Sequence, residues 1–224
     1  MPKESKAILD AIVNRRCIRE FSREVVSDEI IQTILEVARR SPSSKNTQPW
    51  KLTLFQGAAL DALRADFLDS FDTGKHFYPE FPCELISEYR ARAVALGKAI
   101  FAYKGFARED MDKRKIHNRL NYQFFDAPQM FILGVDKNAY HEGTLVDCGI
   151  FAANLMLAVE GVGLGSCPQM STLVYPNLLR RHIPQGDQQL FLMSLPFGYP
   201  KEGSHINDFI STREPIENWF TVLK

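Results

Sequence analysis

An apolar stretch in the middle of the chain constrains the fold more than any other feature. Residues 148–159 carry no charge, and Asp147 and Glu160 bracket them. They lie within a longer segment, residues 144–162, whose apolar residues surround the helix axis almost completely. That pattern is typical of a helix buried on nearly all sides. Because a membrane span needs about 18 apolar residues, the run predicts a core helix and no membrane association.

The length and the charge balance fit one globular domain. The 224 residues include 27 basic and 27 acidic side chains, and 45% of the residues are hydrophobic. No internal repeat or low-complexity linker divides the chain, so we predict a single domain over residues 1–224. A net charge of zero gives no general attraction for polyanions, and we expect no nucleic-acid partner.

The cysteines and the first residues indicate the compartment. Cys17, Cys83, Cys148 and Cys167 are far apart and form no C-x-x-C pair. In a chain of this length they are expected to be free thiols in a reducing environment. The N-terminus has early charge and no apolar signal segment. Both observations predict a cytoplasmic protein.

Apolar periodicity predicts several helices before, between and after a few strands. Ser27, followed by Asp28 and Glu29, is typical of a helix start. Further helices are expected over residues 2–14, 58–71 and 84–106, and a helix from Ser27 should end by Ser41 because Pro42 follows. Strands are expected over residues 51–55, 130–135 and 190–195. This order indicates an α+β fold with a central sheet covered by helices.

Several common motifs are absent or incomplete. Gly161, Gly163 and Gly165 resemble part of a dinucleotide fingerprint, but they follow a helix where that motif needs a preceding strand. The five histidines are dispersed, and no two of them are four residues apart on a helix. We therefore predict no metal site.

Two polar segments resist a purely structural interpretation. The first holds Arg15, Arg16 and Arg19 within five residues, directly after a predicted helix. Such cations stabilise a helix C-terminus, but guanidinium groups also bind phosphate oxygens in pairs. The second, residues 42–50, packs serines, Asn46 and a glutamine between two prolines. It is either a solvated loop or a preset array of donors and acceptors for a polar heterocycle.

These two segments resemble the N-terminal signature of the FMN-dependent nitroreductases. Residues 154–165 resemble the buried central helix of that family and its exit, and residues 197–200 and 213–217 complete the series in family order. The resemblance implies an α+β fold, a three-layer α/β/α sandwich with a central, mostly antiparallel sheet. It also implies a domain-swapped homodimer that binds two FMN molecules at the subunit interface.

The resemblance implies a role for each matching residue. The FMN phosphate and ribityl chain would be held by one group: Arg15, Arg16, Cys17, Arg19 and Arg213. The flavin ring would be faced by a second group from the partner subunit: Pro42, Ser43, Ser44 and Asn46. A third group would pass the reactive edge, with a backbone N–H near Gln169 beside flavin N5: Cys167, Pro168 and Gln169. Cys17 departs from the family, which usually has serine there.

The implied activity is two-electron transfer from NAD(P)H to a nitroaromatic, a quinone or a similar electron-poor acceptor, in a ping-pong cycle on FMN. No side chain is expected to act as a nucleophile or as an acid–base pair. Aromatic residues, Phe124 and Phe125 and those of residues 76–81, are candidates to stack on a flat acceptor, with core or interface packing as the alternative. Two other functions remain open: flavin sensing or storage without turnover, and a dehalogenase-like or flavin-destructase-like reaction on the same fold.

Overall fold

The structure is a computed structural model that describes residues 3–75, 85–107 and 109–223. The described residues form seven α-helices: α1 Lys3–Asn14, α2 Asp28–Ala38, α3 Gly57–Asp72, α4 Ser87–Tyr103, α5 Met111–Tyr122, α6 Glu142–Gly161 and α7 Pro176–His182. They also form four strands: β1 Trp50–Gln56, β2 Gln129–Asp136, β3 Gly165–Ser166 and β4 Gln189–Gly198.

The strands form one antiparallel sheet in the order β1-β2-β4-β3. In the register, Leu52 of β1 lies opposite Leu133 of β2, and Phe131 of β2 lies opposite Leu195 of β4. β2 is buried along all but its last residue. Successive side chains of a strand point to opposite faces, so a strand buried in this way must be covered on both. The predicted buried strand over residues 130–135 is confirmed.

Helices pack on both faces of the sheet. Phe131 packs on one face in a core cluster with residues of α2 and α6, among them Leu155. Ile132 packs on the opposite face with residues of α3 and α7, among them Leu63. The result is a three-layer α/β/α arrangement, and the predicted α+β fold class is confirmed.

The central helix α6 is longer and more one-sided than the sequence predicts. Eight of its residues are buried, and its Phe151 ring stacks on Trp50 with the centroids 4.7 Å apart. However, Leu145, Val146 and Ile150 are exposed, so the predicted burial on nearly all sides is wrong for one face. By length and composition alone the 20-residue helix could cross a membrane. Its packing in the core accounts for that composition.

The predicted helices are present, with small shifts at their ends. Ser27 caps α2 as predicted, since its side chain accepts a hydrogen bond from the backbone N–H of Ile30. Apolar periodicity does not predict α5, α7 or β3. α5 is mostly polar and, among its side chains, only Tyr122 is buried, so it lacks the apolar face that periodicity detects. The aromatic segment, residues 76–81, lies outside the described residues.

Candidate cofactor site

The arginine-rich segment is held against the edge of the sheet beside β3. Cys17 forms a parallel bridge with Ser166, and the N–H of Ile18 donates to the Ser166 carbonyl at 3.0 Å. Gly165 makes this approach possible, because a Cβ there would lie 2.3 Å from the Ile18 Cγ1 atom. The segment therefore follows a fixed path, and its side chains have a defined position.

A buried asparagine fixes the same segment from its other side. The Asn207 Oδ1 atom accepts hydrogen bonds from the backbone N–H groups of Arg19 and Glu20, at 2.8 and 3.1 Å. Its Nδ2 atom donates to the Glu20 carbonyl at 2.7 Å. Sequence reasoning missed Asn207, because nothing near it in the chain marks it as different from any other loop asparagine.

A cavity of about 540 Å³, which we call the arginine cavity, opens beside this segment. Its wall combines four arginines and one cysteine from the sequence prediction: Arg15, Arg16, Cys17, Arg19 and Arg213. It also has an apolar part that the sequence did not reveal: Ile12, Val13, Leu96, Phe209 and Ile210. None of the described residues that line it is acidic. Such a wall suits an anion attached to an apolar body.

The arginines of this cavity differ in their present partners. Arg16 is exposed and lies 3.6 Å from Asp208. Arg213 donates to the Ser211 and Thr212 carbonyls and to the Ser211 hydroxyl. Within the described part of the chain, no carboxylate lies within 4 Å of the guanidinium groups of Arg15, Arg19 or Arg213. Three positive charges are thus available to an anionic ligand.

A second cavity, of about 500 Å³, lies on the other side of Arg16 and has a different character. Glu160 and Asp208 line it together with Asn14 and several residues of the loop after α6. Burial raises the pKa of the Glu160 carboxyl. Because carboxylates repel phosphate, this cavity is the poorer candidate for a phosphorylated cofactor.

Cys17 lines the arginine cavity and packs in one cluster with the buried Cys167. The Cys167 thiol donates a hydrogen bond to the Cys17 sulfur, and the positive charges of Arg19 and Arg15 add to this effect. Together they lower the pKa of Cys17 to about 6. The same interaction and burial raise the pKa of Cys167 well above the ordinary value. At neutral pH Cys17 is therefore the thiolate of the pair.

The segment from Cys167 to Gln169 is adjacent to the cavity wall, but its groups point inward. The Gln169 N–H donates to the Ser194 carbonyl at 2.8 Å, and the Ser194 N–H donates back at 3.1 Å. The Gln169 side chain donates to the Asn121 carbonyl at 3.1 Å. The N–H of Gln169 itself is thus occupied. Met170, which follows, is 60% exposed, and no described acceptor is bonded to its N–H.

The loop with Pro42, Ser43, Ser44 and Asn46 lies apart from the arginine cavity and lines none of it. The Ser44 N–H donates to Asp147 at 3.1 Å, and the Ser43 hydroxyl accepts from the Gln48 N–H at 2.9 Å. These bonds preset the loop, in which Asn46 has a left-handed backbone with φ of 58°. Within one chain, the two predicted groups of cofactor residues are not brought together.

The two phenylalanines predicted to contact the acceptor are buried. Phe124 has no exposed surface and packs edge-on against Phe67, with the ring centroids 5.3 Å apart. Phe125 is 4% exposed and packs in a small cluster with Cys167. A ring without an open face cannot stack on a diffusing molecule, so the structure corrects this interpretation to its alternative, core packing. The other aromatic candidates, residues 76–81, fall outside the described residues.

Comparison with known proteins shows the family to which the chain belongs. The profile of the nitroreductase family matches residues 12–199, so the chain belongs to that family. A 4-nitrobenzoate reductase of Pseudomonas putida is 30% identical over 212 residues, which cover 94% of this chain and 93% of the relative. The nitroreductase NfnB of Mycolicibacterium smegmatis is 31% identical over 200 residues, 88% of this chain and 84% of the relative.

Solved structures agree with the sequence comparison. The FMN-dependent nitroreductase NfnB from Mycobacterium smegmatis, in complex with NADPH, superposes with a TM-score of 0.91 at 26% identity. That alignment covers 99% of this chain and all of the NfnB chain. The FMN- and NADPH-dependent nitroreductase NfnB from sphigopyxis sp. strain HMH also has a TM-score of 0.91, at 27% identity over 97% of this chain and 99% of that chain. The resemblance seen in the sequence is confirmed.

Proposed function

We propose that this chain is an FMN-dependent oxidoreductase that moves two electrons from NAD(P)H to nitroaromatic, quinone or similar electron-poor acceptors. The observation that carries the proposal is the arginine cavity, in a chain of the nitroreductase family. Bound FMN would supply the redox chemistry, a two-electron exchange between the nicotinamide and the acceptor. The protein supplies binding, orientation and charge.

The residues of the arginine cavity fit the cofactor. A volume of about 540 Å³ is within the range of small-molecule sites. The guanidinium groups of Arg15, Arg19 and Arg213 present paired N–H donors for phosphate oxygens, and Arg16 adds a fourth charge at the rim. The apolar part of the wall suits the less polar remainder of the molecule.

The backbone supports the reactive end of the site. We assign the N–H beside the reactive edge to Met170, because the N–H of Gln169 is already bonded to Ser194. Cys167 and Pro168 then position this segment, and the Cys167 N–H is itself bonded to the Pro196 carbonyl at 3.0 Å. We assign no side chain to proton transfer, and we expect solvent to supply the protons that reduction of the acceptor consumes.

We also propose that the working unit is a homodimer. Apolar side chains are exposed on α1, on α6 and near the C-terminus, among them Ile8 at 66%, Val146 at 64% and Trp219 at 68%. Surface of this kind marks an interaction site. A second copy would cover it and bring the loop of residues 42–46 to the arginine cavity of its partner.

The partners and the compartment follow from the same reasoning. NADPH is in the complex of one structural neighbour, and a nitrobenzoate is in the name of one relative. We infer that this chain uses NAD(P)H and a small aromatic acceptor in a ping-pong cycle. The described cysteines Cys17, Cys148 and Cys167 are free, which supports a reducing, cytoplasmic location.

The test is reconstitution followed by turnover. The purified chain is mixed with FMN, freed of excess cofactor and examined by absorption spectroscopy for one FMN per chain. NADH and NADPH are then added separately, with 4-nitrobenzoate or a quinone as acceptor. We expect FMN-dependent oxidation of at least one nicotinamide, with parallel lines in double-reciprocal plots.

The possible results separate the candidate functions. A chain that does not retain FMN contradicts the proposal. A chain that retains FMN but leaves it oxidised in the presence of both nicotinamides is a flavin-storage or sensing protein. A chain whose bound FMN is reduced but which rejects nitro compounds and quinones has a different reaction on the same fold.

A further inference from the structure

Two cysteines that are 150 positions apart in the chain are adjacent in the fold. The parallel bridge between Cys17 and Ser166 places Cys17 next to the segment that continues into Cys167. Their side chains pack in one small apolar cluster with Ile18, Phe21 and Phe125. Two cysteines held by neighbouring backbone segments and packed in one cluster can form a disulfide with little movement of the chain.

The two cysteines differ in the way that a redox pair requires. Cys17 is half-buried on the wall of the arginine cavity and can be reached from it, whereas Cys167 is 3% exposed. Arg15 and Arg19 favour the thiolate of Cys17, and the thiolate is the form that attacks oxidants. Cys148 is a contrast within the same chain, since it is 1% exposed and burial raises its pKa to about 11.

We propose that Cys17, in the wall of the arginine cavity, and Cys167, buried behind it, form a reversible dithiol–disulfide pair for which hydroperoxides are the oxidant. The Cys17 thiolate attacks the peroxide, an S–O bond forms as the O–O bond breaks, and the departing oxygen leaves as water or an alcohol after it takes up a proton. Cys167 then attacks the Cys17 sulfur. The S–S bond forms, the S–O bond breaks, and the second oxygen leaves as water with the Cys167 proton.

The pair supplies two electrons to the peroxide, and an external thiol reverses the reaction by two exchange steps. The other charged groups that line the cavity with Cys17 are Arg16 and Arg213. No described carboxylate lines that cavity. The positive field therefore favours the attacking thiolate.

The cofactor should control access to this pair, and this part of the inference rests on the proposed function. The Cys17 thiolate and an anionic cofactor phosphate compete for Arg15 and Arg19, and the cofactor would cover the open side of Cys17. Peroxide should then oxidise the FMN-free chain and spare the FMN-bound chain. We infer that the pair reports the state in which the cofactor site is empty.

The test uses the reduced full-length chain, with and without saturating FMN, treated with an equimolar amount of hydrogen peroxide. Remaining thiols are blocked with iodoacetamide, and tryptic peptides are analysed by mass spectrometry. We expect the Cys17-Ile18-Arg19 peptide to be linked to the peptide that contains Cys167, and dithiothreitol to release it. A Cys148→Ala variant, which removes the other cysteine of that tryptic peptide, should show the same link.

Two further variants identify the order of the steps. In Cys167→Ser, oxidised Cys17 has no partner, so a sulfenic acid should accumulate that dimedone traps. In Cys17→Ser, Cys167 should react with peroxide at least tenfold more slowly than Cys17 does in the unmodified chain. Fragmentation of the linked peptide from the unmodified chain distinguishes Cys167 from Cys148, so it decides the matter even where a variant fails to fold.

The outcomes that overturn the proposal are distinct from those that overturn the proposed function. Cys17 that stays reduced, or that links to Cys83 or Cys148 instead, contradicts the redox pair. A Cys17–Cys167 link that forms equally fast with and without FMN, in a chain that retains no FMN, supports the pair and contradicts the cofactor assignment. Equal rates in a chain that does retain FMN contradict only the control of the pair by the cofactor.

Discussion

Cys17 stands where the family resemblance leads one to expect a serine, and the exchange changes the charge of the site. A serine hydroxyl is neutral at every physiological pH, whereas the Cys17 thiol has a pKa of about 6. The cause lies in its immediate neighbours, namely the Cys167 thiol and the guanidinium groups of Arg19 and Arg15. Because the folded chain favours the thiolate, its reactivity is present above this pKa and is lost as the pH falls through it.

The lowered pKa of Cys17 predicts how its reactivity in the FMN-free chain depends on pH. The rate at which iodoacetamide alkylates Cys17 should reach half its maximum near pH 6, compared with about 8.5 for an ordinary thiol. The measurement is the appearance of alkylated Cys17-Ile18-Arg19 peptide between pH 5 and pH 9. Cys148, whose pKa is raised by burial, serves as the internal control and should remain unmodified over this range. A Cys17 midpoint above pH 8 would contradict the prediction.

The Arg15 guanidinium should contribute to FMN binding. Arg15→Glu replaces a positive charge in the cavity wall with a charge of the same sign as the phosphate. It should weaken FMN binding about ten- to hundredfold, since a hydrogen bond to a charged group contributes about 1.5–3 kcal/mol. Quenching of FMN fluorescence measures the dissociation constant. Arg23→Glu is the matched control, because Arg23 is exposed and lines none of the described cavities. Equal affinities of the two variants would exclude Arg15 from the site.

The short strand β3 holds the arginine-rich segment of the site in place. It spans only two residues, yet it carries the bridge that positions the arginine segment. Gly165→Ala would place a methyl group 2.3 Å from Ile18 Cγ1, so the segment must shift. We expect a loss of about 1–3 kcal/mol in the free energy of unfolding, as for other overpacked sites, together with weaker FMN binding.

The control for this substitution is Gly97→Ala in α4, where an added Cβ meets no atom within 4 Å. That change should leave stability unchanged or raise it by up to about 1 kcal/mol, because alanine favours the helix. Urea titrations compare the two variants. A Gly165→Ala chain with the stability and FMN affinity of the Gly97→Ala chain would show that this close packing does not hold the segment in place.

The same elements show what sequence periodicity reveals. The presence and position of β2 and α6 are predicted well because each contains a long run of apolar residues, although one face of α6 is exposed. α5 is not predicted, since its mean composition is polar and it contributes mainly Tyr122 to the core. Phe124 is assigned to the wrong environment for a related reason. Composition identifies an aromatic residue but does not tell a buried ring from one that lines a site.

At the scale of the whole molecule, the site joins parts of the chain that local patterns cannot connect. Arg213 reaches the cavity of Arg15 and Arg19 from nearly 200 residues away, and only the family resemblance predicts that meeting. Leu96 and Phe209 in the same wall, and Asn207 behind it, have no sequence signal of their own. The chemistry of the site is therefore readable from the sequence, but its shape depends on tertiary packing.

The exposed apolar face of α6 should form part of the dimer interface. The chain should sediment with the mass of a dimer. Val146→Glu should weaken self-association at least tenfold, because a twofold interface would bury two unpaired carboxylates. Val25→Glu is the matched control, since Val25 is 63% exposed and Val146 is 64% exposed. Sedimentation velocity over a range of concentrations measures both variants.

FMN binding should depend on the dimer, because the loop of residues 42–46 does not line the arginine cavity of its own chain. A dissociated Val146→Glu chain should therefore bind FMN more weakly than the Val25→Glu chain, although all four arginines remain in place. If Val146→Glu sediments like the unmodified chain, the face of α6 is not the interface. If it dissociates and still binds FMN with full affinity, each chain holds the cofactor alone, and the loop has another role.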